Sequence, residues 1–306
     1  MFYRAGFLGD ILLTNAAVRA VRRRYPQHNL VFQCWPQYVS ALVGDPHLNA
    51  VVPVTHYDYM AEHVLDFRHE DQKDWDSKYW GQLLYEQARR RGLAGKPDET
   101  FRPYVYMTPD DVADKEKDAK VCVIHPWSAN GENWRLWSLD KWGELVSRLR
   151  GHGITPVQVG MAQDPYIEGA YDLRGRTDSI MGLYGIIAIA DLVICIDSAI
   201  LHIAVADKWV RSIPTDEGKK SSVTLIRGAV PTILINGPMS PKCIVPPDAD
   251  VSVVSYDYES LCGQPCNHSF SSPELPICKY GNACMRSITV DAVWRAVCQK
   301  LLTEGL

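Results

Sequence analysis

Asp197, Ser198 and His202 form the densest group of chemically useful side chains in the sequence. They follow Leu192-Val193-Ile194-Cys195-Ile196, an apolar run that reads as a strand buried on both faces. A polar turn at the carboxyl end of such a strand, with a helix behind it, is where open parallel sheets bind ligands. The helix amides there point at the strand tips and favour negative charge. His202 stands one turn into that helix, so the outline is that of a nucleotide-phosphate pocket. The competing reading makes Asp197 a helix cap and His202 an ordinary core histidine.

A second constellation is Gly6-Phe7-Leu8-Gly9-Asp10. Gly6 and Gly9, in a loop after a first strand, would let a helix amino terminus come close to a ligand. Asp10 is then either a cap for that helix or a carboxylate on a cleft floor acting as general base. A third runs from His125-Pro126-Trp127-Ser128 to Asn133-Trp134-Arg135. Ser128 and Arg135 could hold a diphosphate, the arginine through paired charge-assisted hydrogen bonds. Trp137 and Trp142 read as core wedges. Gly237, in the turn Asn236-Gly237-Pro238, reads as pocket wall.

Cys262, Cys266, Cys278 and Cys284 follow the pattern C-x3-C-x11-C-x5-C. Four thiolates so spaced could hold a structural zinc or iron and fix a loop with little core of its own. Disulfides and unliganded thiols are the alternatives. A metal with four protein ligands would have no open position for substrate.

The elements that must position these groups alternate in type. Strands are expected at Met1–Arg4, Leu30–Cys34 and Ala50–Val54, and helices at Asp10–Tyr25 and Trp80–Arg91. After the charged stretch Thr108–Lys120, a linker or a solvated helix, the pattern restarts with strand Val121–Ile124, helix Leu139–Arg150 and strand Thr155–Gly160. Helix Ser179–Ala190 leads back to the buried strand, and Thr232–Asn236 is a further strand. Such alternation implies an α/β protein of two Rossmann-like, doubly wound domains facing across a cleft. The expected divisions are 1–115, 116–285 with a cysteine-rich loop at 262–284, and a terminal helix in 286–306. Asp207 to Gly228 reads as a polar insertion, a surface loop.

The 306 residues are 46% hydrophobic with a net charge of −4, which argues against a general polyanion binder. Arg19, Arg22, Arg23 and Arg24 are a local exception, suited to DNA or an anionic membrane surface, or simply a solvated helix face. No apolar run reaches membrane-spanning length and Met1-Phe2-Tyr3-Arg4 is no secretory signal, so the expected location is the cytoplasm.

Taken in order, L-G-D-I-L-L-T-N-A-A-V-R-A-V-R-R-R-Y-P, I-H-P-W-S, W-R-L-W-S-L-D-K-W, D-L-R-G-R-T-D, A-D-L-V-I-C-I-D-S-A-I-L-H-I-A and P-T-I-L-I-N-G-P resemble the signatures of glycosyltransferase family 9, the lipopolysaccharide heptosyltransferases. C-K-Y-G-N-A-C-M-R-S-I resembles a cysteine cluster carried by many of its members. The resemblance implies the GT-B architecture, with donor in the second domain and acceptor in the first. It also implies inverting transfer from a nucleotide-sugar, ADP-heptose by default, to a lipopolysaccharide core saccharide. A protein hydroxyl or a modified DNA base are the other acceptors, and peripheral contact with the inner membrane would follow from a lipid-borne one. It places Asp10 as base and sets Arg135, Ser198 and helix amides against the departing diphosphate, with no cofactor needed for chemistry. His125, Ser128, Asp197, His202 and Gly237 would complete the donor site, with Gly6 and Gly9 on the acceptor side. Two departures stand out: Arg135 replaces the usual lysine, and Ala199 replaces a glycine. The rivals from other classes are a NAD-dependent oxidoreductase, which lacks its G-x-G-x-x-G here, and a metal-stapled nucleic-acid-binding protein.

Overall fold

The structure is a computed structural model of the chain. It describes all residues except 5, 55–63, 68–76, 98–99, 129–132, 178, 213–221, 258–261, 263–277, 279 and 302–306. Three sheets carry it. The first is parallel, in the order β3-β2-β1-β4, from β1 (Phe2–Tyr3), β2 (Val31–Cys34), β3 (Ala50–Pro53) and β4 (Leu65–Asp66). Helices α1 (Leu8–Leu13), α2 (Asn15–Arg24) and α3 (Trp80–Arg90) accompany it. Their apolar faces join Phe2, Phe32 and Phe67 in one core.

The larger sheet is built from β6 (Lys120–His125), β7 (Ile154–Gln158), β8 (Tyr171–Asp172), β9 (Leu192–Ile196), β12 (Thr232–Asn236) and β13 (Val251–Ser255). It too is parallel, ordered β13-β12-β9-β6-β7-β8. The alternating residues of β9 go to opposite cores, as a doubly covered strand requires. Val193 and Cys195 meet α5 (Ile180–Ile189) and α6 (Ala199–Val205), whereas Leu192, Ile194 and Ile196 meet α4 (Leu139–Gly151) and the final helix Val290–Leu301. Trp137 and Trp142 lie edge to face at 5.4 Å in the second of these cores, as wedges.

The structure corrects some of these expectations and decides between others. The first helix starts at Leu8 and breaks at Thr14, instead of running unbroken from Asp10 to Tyr25; Gly9 is therefore helical and not a loop residue. Thr108–Lys120, read as either a linker or a solvated helix, is a connection with only the short turn Pro109–Asp111 before β6 begins. Its backbone is seated on α5: a side-chain carbon on Gly185 would come within 1.7 Å of the Asp111 carbonyl oxygen.

The insertion after α6 is a hairpin, β10 (Asp207–Ser212) and β11 (Ser222–Arg227), not a loop. β10 pairs in parallel with β5 (Tyr104–Met107), an early strand that joins neither large sheet. Lys208, polar in an apparently polar stretch, is fully buried and donates to the carbonyls of Ala204 (2.8 Å) and Ala206 (2.6 Å) at the carboxyl end of α6. Burial pulls its ammonium down to about 7.

The arginine run is divided, with Arg23 and Arg24 exposed and the other two taken up by the fold. Arg19 is buried, stacked 3.6 Å from the Tyr104 ring centroid, and Arg22 donates to the carbonyls of His47, Pro26 and His28. Among the described residues, no helix is long and apolar enough to cross a membrane.

Candidate active site

Both parallel sheets reverse their strand order next to the first strand of the set, and each candidate group sits at such a reversal. In the larger sheet the switch lies between β6 and β9, where His125 is in register with Cys195. In open parallel sheets such a reversal is where ligands bind, beyond the carboxyl ends of the strands. His125 Nδ1 meets Ser198 Oγ at 3.0 Å. Ser198 is the residue before α6, yet its hydroxyl makes no capping bond to that helix.

Asp197 does not cap α6 either. Its carboxylate meets Arg135 at 3.3 Å, and the same guanidinium donates to the Asp197 carbonyl at 3.2 Å. The Trp134 ring backs Arg135, whose guanidinium carbon is 4.2 Å from the ring centroid, a cation–π contact. Gly237 is filled from the other side: a side chain there would strike Met285 Sδ at 2.6 Å and stand 3.4 Å from the Trp134 carbonyl. It is wall. Ser128 is buried just past the tip of β6.

In the smaller sheet the switch lies between β1 and β4, and Asp10 stands beyond it. Asp10 Oδ2 accepts from the Phe7 amide at 2.8 Å, the helix-capping contact that its position allowed. Oδ1 faces Arg4 Nη2 at 3.0 Å. Gly6 leaves the room for this, since a side-chain carbon there would be 2.8 Å from both Asp10 Cβ and Oδ2.

The two sites meet through His202. α1 packs on α6, and a side-chain carbon on Gly9 would be 2.8 Å from His202 Cδ2. The imidazole thus occupies the place of the missing side chain. Burial lowers its affinity for a proton, while the Asp197 and Asp10 carboxylates pull the other way and Arg135 adds to the lowering. Nδ1 is buried with no hydrogen-bond partner among the described residues, which is not the state of a satisfied core histidine. The Tyr38 phenol also senses Asp10: burial first, and then that carboxylate, push it up.

Burial pulls His125 down to about 4. In the unfolded chain the same imidazole takes a proton near 6.5. Protons therefore favour the unfolded chain across that interval, and stability falls as pH drops from about 6.5 towards 4. Chemical denaturation midpoints at pH 7, 6 and 5 are expected to decline in that order.

The sequence reading named Gly6, Gly9 and Asp10 on one side and His125, Arg135, Asp197, Ser198 and His202 on the other; the fold sets His125 against Ser198, Arg135 against Asp197, Gly6 against Asp10 and Gly9 against His202. That reading missed Arg4, Tyr38 and Trp134, which gain their places by tertiary contact and carry no periodic signal. The cysteines are dispersed in exposure: Cys262 exposed, Cys278 half-buried, Cys284 buried in the short helix Ala283–Ser287, with Cys266 outside the described residues. Among the described residues, no cluster of three His, Cys, Asp or Glu side chains could hold an ion.

No protein-family model matches the chain, and no curated protein does. Solved structures do. A glycosyltransferase family 9 protein from Veillonella parvula superposes with a TM-score of 0.70 at 11% identity, over 99% of this chain and 97% of that one. ADP-heptose lipopolysaccharide heptosyltransferase II of E. coli gives 0.69 at 15% identity, over 100% and 99%. The dodecameric iron-containing heptosyltransferase TibC, solved with ADP-D-β-D-heptose, gives 0.70 at 13% identity, over 99% and 75%. The chain has the GT-B fold of the glycosyltransferase family 9 heptosyltransferases.

Proposed function

We propose that the protein is an inverting glycosyltransferase working in the cytoplasm. It takes a sugar, heptose by family default, from an ADP-sugar and places it on a hydroxyl of a lipopolysaccharide core saccharide. One observation carries this reading: the carboxylate of Asp10 on one lobe stands against the His202, Asp197 and Arg135 cluster of the other, across Gly9.

In the proposed step Asp10 takes the proton of the acceptor hydroxyl. That oxygen bonds to the anomeric carbon as the bond from this carbon to the diphosphate oxygen breaks, and the electron pair leaves with ADP. Charge then grows on the diphosphate. Arg135, already oriented by Asp197 and Trp134, keeps further N–H donors for it. Ser198 and the unbonded amides beyond it add to this, and no metal or cofactor takes part in the transfer. The saccharide acceptor is favoured over DNA because Arg19 is buried and Arg22 is committed to backbone carbonyls, which reduces the cationic face of that helix to Arg23 and Arg24.

The test is a thermal-shift panel of ADP-heptose, UDP-sugars, GDP-sugars and NAD. ADP-heptose is expected to raise the melting temperature by several degrees, as a ligand held well below its supplied concentration does. Stabilisation by NAD alone would give the oxidoreductase reading instead. Product mass spectrometry on saccharide, protein and DNA fractions then separates the acceptors.

We further propose that the cysteines hold one structural zinc or iron per chain. Elemental analysis is expected to find it, and Cys278→Ser and Cys284→Ser to lose it. A metal-free wild-type protein would leave the disulfide or thiol alternatives.

A further inference from the structure

We infer that Arg4 is the positioning residue of the base, an inference that rests on the transferase reading above. Arg4 directly follows β1 and is largely buried, with its amide bonded to the Gln33 carbonyl of the next strand at 3.1 Å. Its guanidinium reaches two ways across the switch point of the smaller sheet. Nη1 donates to the Phe67 carbonyl just past β4, and Nη2 donates to Asp10 Oδ1 at 3.0 Å. The Phe7 amide holds the other oxygen, Oδ2, at 2.8 Å. Each carboxylate oxygen thus has one fixed donor and one remaining lone pair for a substrate proton. The plane of the carboxylate is held by the Arg4 guanidinium on one oxygen and the Phe7 amide on the other.

The arrangement also suits the charge movement of the reaction. Before transfer, Arg4 and Asp10 sum to no net charge. When Asp10 takes the acceptor proton it becomes a neutral acid, and Arg4 is left as an unneutralised cation, still fastened by the Phe67 carbonyl. At that moment the diphosphate gains its negative charge. A guanidinium suits this better than an ammonium, because its planar fork can serve Phe67 and Asp10 together. His202 and Tyr38, the other polar groups that sense Asp10, come from α6 and from the turn Pro36–Ala41; neither makes a hydrogen bond to it among the described residues.

Two measurements test this. The first needs no substrate: in protein carrying carboxyl-labelled aspartate, the Asp10 carbon resonance is identified by its loss in Asp10→Asn. It is expected to move in Arg4→Met and to return most of the way in Arg4→Lys. An Asp10 resonance indifferent to Arg4→Met overturns the inference. The second follows ADP release from ADP-heptose with water or acceptor. Arg4→Met is expected to lower kcat by roughly 10- to 100-fold. The thermal shift with ADP-heptose should stay unchanged, and Arg4→Lys should recover part of the rate. In the double variant with Asp10→Asn, Arg4→Met should add nothing further. An unchanged kcat, or a loss in donor binding that matches the loss in rate, overturns it. Should wild-type protein fail to bind ADP-heptose, the functional reading falls, and the carboxyl resonance still decides whether Arg4 orients Asp10.

Discussion

Asp10→Asn is expected to reduce turnover by about 10²- to 10⁴-fold, the range ascribed to a positioned proton acceptor. The amide is close in size to the carboxylate and can still accept from the Phe7 amide, so the start of α1 should keep its shape. What disappears is the site for the acceptor proton and the ion pair with Arg4. Donor affinity should hold, because Arg135, Asp197 and His125 stand on the other lobe. The measurement is ADP release beside a thermal shift with ADP-heptose. Full turnover in Asp10→Asn would remove this residue as base, and a lost thermal shift would mean that it belongs to the donor site.

The largest expected effect on stability is at Trp137. The indole is fully buried against Trp142, and its N–H donates to the Ile288 carbonyl at 3.0 Å. Trp137→Ala would remove a large ring from a packed core and take one of that carbonyl's two donors, leaving it the Lys141 ammonium at 2.8 Å. The expected loss is about 3–5 kcal/mol. Melting should fall by on the order of 10 °C for a chain of this size. The consequence reaches the site, because Trp137 lies two residues past Arg135 and ties the Arg135 turn to the segment before the final helix. Trp137→Phe is the informative companion: it keeps most of the packing and gives up only the hydrogen bond, so it should cost markedly less. If both variants melted like the wild type, the indole would not be the wedge that its burial implies.

Four strands of the larger sheet, β6, β7, β9 and β12, were readable from sequence because they are short apolar runs set between helices with clear stops, whereas the edge strands β8 and β13 were not expected. Leu192–Ile196 and Thr232–Asn236 are the plainest, since strands covered on both faces must be apolar throughout. The strand tips followed, and with them His125, Asp197, Ser198 and His202. The smaller lobe was less readable. β1 was expected at Met1–Arg4 and is only two residues long, and β4, also two residues, is too short for a pattern and was not expected. Gly9 read as a loop glycine because its reason for being glycine is the ring of His202, almost 200 positions away. Asp197 offered itself as a cap, and only the fold brings Arg135 to it. The hairpin after α6 was hidden because β11 is exposed along most of its length and so lacks the alternation that marks a half-buried strand. Lys208 misled in the same way, a lysine being the last residue expected in a core.

The pairing of β5 with β10 has a consequence for synthesis. Tyr104–Met107 leaves the ribosome a hundred residues ahead of Asp207–Ser212, its hydrogen-bonding neighbour. Until then one edge of that segment has no backbone to bind, and the amino-terminal lobe cannot finish folding as an independent unit. Severing the chain within 108–119 would therefore release two fragments that remain knitted together, and co-expressed halves should purify as one particle.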